Sequence, residues 1–242
     1  MVLALEQVGV AFGGFRALTE VSLAIPPGQV TGLIGPNGAG KTTCVNTLSG
    51  FQRPGSGRVL LDGADISALP AHRMRRAGIA RTFQAGRLFG GLDVLDNLAC
   101  TGVGLGQRRA EAEHAAQDLL DWMGIAALAS RPAAGLPYTD ERRVAIARAL
   151  MGAPRFLLLD EPAAGMSEHE AADLAALIRR IAGERGIGCL LIEHNVGLVL
   201  SVCAQVVVLD GGRVIETGDR AAILASRPVR EAYFGADQAE AA

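Results

Sequence analysis

Short runs of consecutive apolar residues alternate with amphipathic stretches through most of the chain. VTGLIG from Val30 is followed by a helical pattern from Gly40, FLLLD from Phe156 by one from about Glu168, and CLLIE from Cys189 by one from Val196. Continuous apolar runs of strand length suit parallel strands covered on both faces. Their alternation with helices places the chain in the α/β class. The N-terminal segments LALEQVGVAF, TEVSLAI and SGRVLLDG instead alternate apolar with polar, the pattern of antiparallel strands with one face in solvent. GGRVIETG from Gly211 reads as a late hairpin. Between Asp93 and Ala134 the strand signals vanish, and RRAEAEHAAQDLLDWMGIAALA sets Ala115, Leu119, Trp122 and Met123 at helical spacing. A small helical subdomain is therefore expected inside the sheet domain, with Trp122 as a core residue. The expected division is an α/β core from 1–92 and 135–235, a helical insertion at 93–134 and a flexible tail at 236–242.

Composition narrows the picture. Hydrophobic residues make up 50% and aromatics only 4%, so the core is built from Ala, Val, Leu and Ile. With 23 basic and 25 acidic residues, a net charge of -2 and no block of like charges, nucleic acid is not expected as a partner. Cys44, Cys100, Cys189 and Cys203 form no CxxC pair and read as reduced packing residues of a cytosolic chain. The apolar runs fall far short of the ~20 residues that span a bilayer. The N-terminus lacks the basic and apolar regions of a secretory signal, so neither a span nor a leader is expected.

The segment GPNGAGKTT comprises Gly35, Pro36, Asn37, Gly38, Ala39, Gly40, Lys41, Thr42 and Thr43, entered by an apolar strand and left by a helix. The pattern G-x-x-x-x-G-K-[ST] in that setting is a phosphate-binding loop. Glycines let successive N–H groups converge on phosphate oxygens, and the helix N-terminus adds its partial positive charge. Lys41 is suited to reach the β- and γ-phosphates and Thr42 to offer its hydroxyl to Mg²⁺. A ligand-free Gly-rich turn would need neither side chain. FLLLDEP brings Asp160 and Glu161 to the carboxyl end of a strand, where α/β sheets bind ligands. Successive residues point to opposite sides, so separate roles are expected: Asp160 for Mg²⁺ through water, Glu161 as general base toward the attacking water.

With these pieces in order the chain resembles the ATP-binding-cassette (ABC) ATPases over nearly its whole length. The resemblance implies a P-loop NTPase core with a parallel sheet, an N-terminal antiparallel β part and an inserted helical subdomain. In RTFQ it implies that Gln84 contacts Mg²⁺ and senses a membrane subunit, and in IEHN that His194 contacts the γ-phosphate. Phe12 matches the adenine-stacking aromatic. EPAAGMS occupies the loop that touches across the family's dimer, where Ala164, Gly165 and Ser167 suit close approach. RTFQ with RLFGGLDVLDNL, LIEHN, EPAAG and the terminal AYFG look most like the ATPase subunits of branched-chain amino acid importers. The lipopolysaccharide-export ATPases, which share GPNGAGKTT and ERR-x-x-IARAL, are the alternative, as is a regulatory subunit of low turnover.

One family motif departs from its pattern. Where members carry LSGGQ, this chain has Leu136, Pro137, Tyr138, Thr139 and Asp140. In the family this segment acts in trans, closing on nucleotide held by the opposite subunit. Pro137 offers neither hydroxyl nor N–H, Thr139 puts a side chain where glycine lets backbone approach, and Asp140 adds negative charge. Thr139 is expected to compensate in part by donating its hydroxyl and by capping the helix DERRVAIARAL. The resemblance thus implies ATP and Mg²⁺ as cofactors, a homo- or heterodimer with a second ABC ATPase subunit, and transmembrane permease subunits. It further implies an indirectly linked solute-binding protein and a place at the cytoplasmic face of the membrane.

Overall fold

The structure is a computed structural model that describes residues 1–83 and 87–234. The expected flexible tail at 236–242 lies outside the described residues. Two sheets organise the chain. β1 (Leu3–Phe12), β2 (Phe15–Ile25), β4 (Ser56–Leu61) and β5 (Ala64–Asp65) form an antiparallel sheet in the order β2-β1-β4-β5. The second sheet contains β3 (Val30–Ile34), β6 (Ile79–Arg81), β7 (Phe156–Asp160), β8 (Gly188–Ile192), β9 (Gln205–Asp210) and β10 (Arg213–Gly218). Its order is β10-β9-β3-β8-β7-β6, with all pairings parallel except the terminal β9–β10 hairpin.

The apolar runs are consecutive because each strand feeds two cores. Phe156 and Leu158 of β7 join Leu190 and Ile192 of β8 and Val207 and Leu209 of β9 in a core shared with the antiparallel sheet and α1 (Lys41–Leu48). Leu157, Leu159, Cys189, Leu191, Val206 and Val208 face the other way. There they meet α5 (Tyr138–Leu150), α6 (Glu168–Arg185) and α7 (Val196–Val202). A strand buried on both faces has no polar alternation to show. The antiparallel strands do alternate: in β1, Leu3, Leu5, Val8 and Val10 are buried between more exposed neighbours, with a register shift around Gln7. The late hairpin turns through Gly211 and Gly212, both at positive φ, as a two-residue hairpin loop requires.

The segment between the sheets' strands is helical. It holds α3 (Val94–Gly104), whose N-cap Asp93 accepts from the Asp96 N–H, and α4 (Arg109–Met123), which ends at left-handed Gly124. Both helices share one core with α5 and β7. Trp122 departs from expectation. It is only partly buried at the margin of that core, its Nε1–H donates to Glu184 at 3.1 Å, and the guanidinium groups of Arg180 and Arg185 stack on its ring. Helical spacing brought it to the core side of α4, but the indole N–H needs a polar partner and so stays at the rim. The short α2 (Ala71–Arg76), β6 and α8 (Arg220–Ala225) carry too few residues to register as periodic patterns, and α9 (Arg227–Phe234) follows α8.

All four cysteines are free. Burial pushes the thiols of Cys44, Cys189 and Cys203 up to about 12, so none of these is a thiolate nucleophile at neutral pH. Among the described residues no helix is long and apolar enough to cross a membrane.

Candidate active site

β3 lies at the centre of its sheet, between β8 and β9, and is buried along its full length. The chain leaves its carboxyl end through residues 35–40 and enters α1. Two glycines make that path possible. At Gly35, with φ 151, a Cβ would stand 2.1 Å from the Leu209 carbonyl oxygen. At Gly40, with φ 104, it would stand 2.7 Å from the Ala17 carbonyl oxygen. Gly40 is also the N-cap of α1, and no side chain caps this helix and no acid sits in its first turn. The first-turn N–H groups are thus left to a ligand, the arrangement that binds phosphate.

Lys41 is 7% exposed, and its Nζ donates to the carbonyls of Gly35 at 2.7 Å and Pro36 at 3.0 Å. Burial lowers its pKa, while the nearby Glu161 and Asp160 oppose the shift. The ammonium is therefore held inside the loop with the two acids close by. Thr42 is exposed at the start of the helix.

Asp160 and Glu161 emerge from β7 and diverge. Asp160 Oδ2 accepts from Arg81 Nη2 at 2.8 Å, with side chains only 8% (Arg81) and 13% (Asp160) exposed. Arg81 also donates to Asn46 Oδ1 at 2.7 Å and Ser49 Oγ at 3.2 Å, and it stacks on Phe51 and Phe83. Asp160 is thereby tied to α1. Glu161 sits at φ 49, a left-handed conformation costly for a residue with a Cβ, and its N–H donates to the Ile192 carbonyl at 3.0 Å. Its Oε1 lies 2.7 Å from His194 Nε2. A neutral imidazole meeting a carboxylate at that distance carries its proton on Nε2.

His194 is preceded by Glu193, which is 4% exposed and accepts the Ala163 N–H at 2.6 Å. Burial pushes the Glu193 carboxyl up, against the backbone hydrogen bond from Ala163. Sequence reasoning passed over Glu193 because a lone acid in a switch loop carries no spacing signal. It clamps the loop after Glu161 to the loop bearing His194.

The cleft brings together Phe12, Asn37, Gly38, Ala39, Gly40, Lys41, Thr42, Thr43, Glu161 and His194 around about 330 Å³ of open space, with Phe15 and Ala17 completing the wall. Phe12 and Phe15 face each other across the β1–β2 turn and are 52% and 65% exposed. Phe15 was missed; the signal was the pairing itself, because a tight hairpin sets the residues flanking its turn side by side. Gln84 lies outside the described residues. Leu136 to Asp140 line no part of this cleft. The expected cap at Thr139 is not formed. α5 begins at Tyr138, two residues earlier than a Thr139 cap requires, and its N-cap is Pro137 without a side-chain bond. The Thr139 hydroxyl donates to Glu170 instead.

The profile of the ABC transporter family matches residues 18–164. The chain belongs to this family. It is 39% identical to the high-affinity branched-chain amino acid transport ATP-binding protein BraF of Pseudomonas aeruginosa, covering 97% of this chain and 98% of that one. It is 36% identical to LivG of Escherichia coli K12, described in the same words, over the same shares. The lipopolysaccharide export ATP-binding protein LptB of Haemophilus influenzae is more distant, at 33%. Among solved structures, the ADP conformation of an ATP-binding cassette of an ABC transporter superposes with a TM-score of 0.88 at 30% identity. It covers 97% of this chain and 99% of that one. The chain is an ABC ATPase with a nucleotide-binding cassette, and the expected architecture is the one found.

Two expected results follow from the cleft of this ABC ATPase. Lys41→Ala weakens ATP binding by about 1.5–3 kcal/mol, the worth of hydrogen bonds to a charged group. Calorimetric titration decides it, and unchanged affinity removes Lys41 from the site. Phe12→Ala weakens ATP binding by about 1–3 kcal/mol, the worth of stacking one base, and leaves inorganic tripolyphosphate binding unchanged. Equal losses for both ligands would show that Phe12 shapes the loop without touching a base.

Proposed function

We propose that this chain powers import of branched-chain or related amino acids, as one of two ATPase subunits bound to transmembrane permease subunits at the cytoplasmic face of the membrane. The convergence of the Lys41 loop and the Glu161–His194 pair on one cleft supports the hydrolytic part of this reading, and the 39% identity to BraF over 97% of this chain supports the import part. A regulatory subunit of low turnover has no need of that pair. Lys41 and the α1 N-terminus hold the β- and γ-phosphates, Phe12 takes the base, Glu161 draws a proton from the attacking water, and His194, bonded to that carboxylate, contacts the γ-phosphate.

The donor set fits Mg²⁺. Asp160 keeps Oδ1 beside the Oδ2 taken by Arg81, and Thr42 supplies an exposed hydroxyl. That is the sparse oxygen set with which Mg²⁺ is held against nucleotide phosphates. When bound, the ion neutralises charge developing on the β- and γ-oxygens. Gln84 belongs to the same proposed ligand set.

Co-purification of the membrane subunits tests the transport role. ATP hydrolysis by the reconstituted complex, raised by a solute-binding protein loaded with leucine or a related amino acid, is the supporting result. Stimulation only by lipopolysaccharide-export membrane subunits would replace import with the alternative.

A further inference from the structure

The residues that break the LSGGQ pattern are not idle here. Thr139 Oγ1 donates to Glu170 Oε1, across 31 residues of sequence, joining the first turn of α5 to the first turn of α6. The other oxygen of the same carboxylate, Oε2, accepts from the Ser167 N–H at 2.9 Å and from Ser167 Oγ at 2.7 Å, closing the capping box of α6. Glu170 is thus bonded on both oxygens, once from the signature segment and twice from the end of the loop that begins at Glu161. The hydrogen bonds hold its carboxyl down to about 2, that from Thr139 first and those from Ser167 next, so it remains an acceptor at any working pH.

Neighbouring contacts reinforce the join. The Tyr138 ring lies against Gly165, 3.6 Å from where a Cβ would stand. Tyr138 is backed by the Arg142 guanidinium, which stacks on its ring at 4.6 Å and donates to its hydroxyl. Arg143 of α5 reaches Asp173 of α6 at 3.7 Å. In an LSGGQ sequence a glycine would stand at position 139, with no hydroxyl for this bond.

We propose that Glu170 is a positioning residue for the signature segment: it holds Thr139 within the same chain, so that the start of α5 and the loop from Glu161 to Ser167 move as one unit. The inference rests on the dimeric reading above, in which both segments face the partner. It reassigns Thr139 from phosphate donor to latch, and the hydroxyl that was to compensate for Pro137 is spent on Glu170.

A double-mutant cycle separates the two roles. Steady-state hydrolysis is measured for the wild type, Thr139→Val, Thr139→Ser, Glu170→Ala and the Thr139→Val/Glu170→Ala pair. Glu170→Gln is added as a variant whose amide oxygen can still accept from Ser167. Thr139→Val is expected to lower kcat about tenfold, below the ~10²-fold that a 1 Å misplacement near the chemistry can cost, with KM for ATP within about twofold. Thr139→Ser restores the rate, and Thr139→Val causes no further loss once Glu170 is alanine. A full Thr139→Val loss in the Glu170→Ala background makes Thr139 a direct donor and overturns the latch, as does an unchanged rate in Thr139→Val. Amide hydrogen exchange reads the latch without hydrolysis: the Glu141 amide, which donates to the Pro137 carbonyl in the first turn of α5, exchanges faster, and equally so, in Thr139→Val, Glu170→Ala and the pair. Wild-type exchange in all three overturns the proposal. Failure of the transport reading shows separately, as absence of membrane partners with the exchange result intact.

Discussion

Glu161→Gln is expected to bind ATP like the wild type and to hydrolyse it about 10²–10⁴-fold more slowly, the range that a positioned general base supplies. The amide keeps the shape of the carboxylate, and its oxygen can still accept from His194 Nε2, now 2.7 Å from Oε1. What it loses is basicity. The backbone conformation is unaffected, because φ 49 and the N–H bond to Ile192 depend on the main chain and not on the head group. Binding and chemistry therefore separate, and ATP-bound dimer should accumulate. Single-turnover hydrolysis under saturating protein is the measurement. A rate close to wild type would move the base elsewhere, with His194 the first candidate.

Arg81→Met is expected to destabilise the fold by about 3 kcal/mol, the lower end of the 3–5 kcal/mol for stranding one partner of a buried ion pair. The lower end applies because Asp160, at 13% exposure, can recover some hydration. The substitution also removes the bonds to Asn46 and Ser49, which anchor α1 to the strand end carrying Asp160. Methionine keeps most of the apolar stem but loses the guanidinium that stacks on Phe51 and Phe83, a loss of about 0.5–2 kcal/mol that is smaller than that of the stranded charge. Urea unfolding measures the change. Adding Asp160→Asn should return a large part of it, since the stranded charge is then gone; an additive double mutant would show that Arg81 stabilises through α1 alone.

Legibility of this protein from its sequence followed the distance over which each feature is specified. The phosphate loop was readable because Gly35 to Thr43 is contiguous and its backbone demands glycine at fixed places, as Gly35 and Gly40 show in three dimensions. Asp160 and Glu161 were readable for the same reason, adjacent at the end of an apolar run. The parallel sheet was announced by continuous apolar runs, and the antiparallel N-terminal part and the helical segment each by a local period. Pairings between distant segments were not. Arg81 meets Asp160 across 79 residues, Glu193 meets Ala163 across 30 and Thr139 meets Glu170 across 31, and no spacing rule links such partners.

Trp122 and Thr139 mark the boundary most clearly. Periodicity put Trp122 on the core side of α4, yet only the position of α6 decided that Glu184 and two arginines would hold it at the rim. Local propensity made Thr139 a good helix cap, but α5 begins at Tyr138 and Glu170 lies within reach of the hydroxyl. By itself the sequence determined the elements and the phosphate chemistry, because dihedral preference, side-chain period and loop geometry act over a few residues. Only the tertiary structure decided which polar groups share a partner, because that depends on the strand order β10-β9-β3-β8-β7-β6 and on helix packing that brings distant segments together.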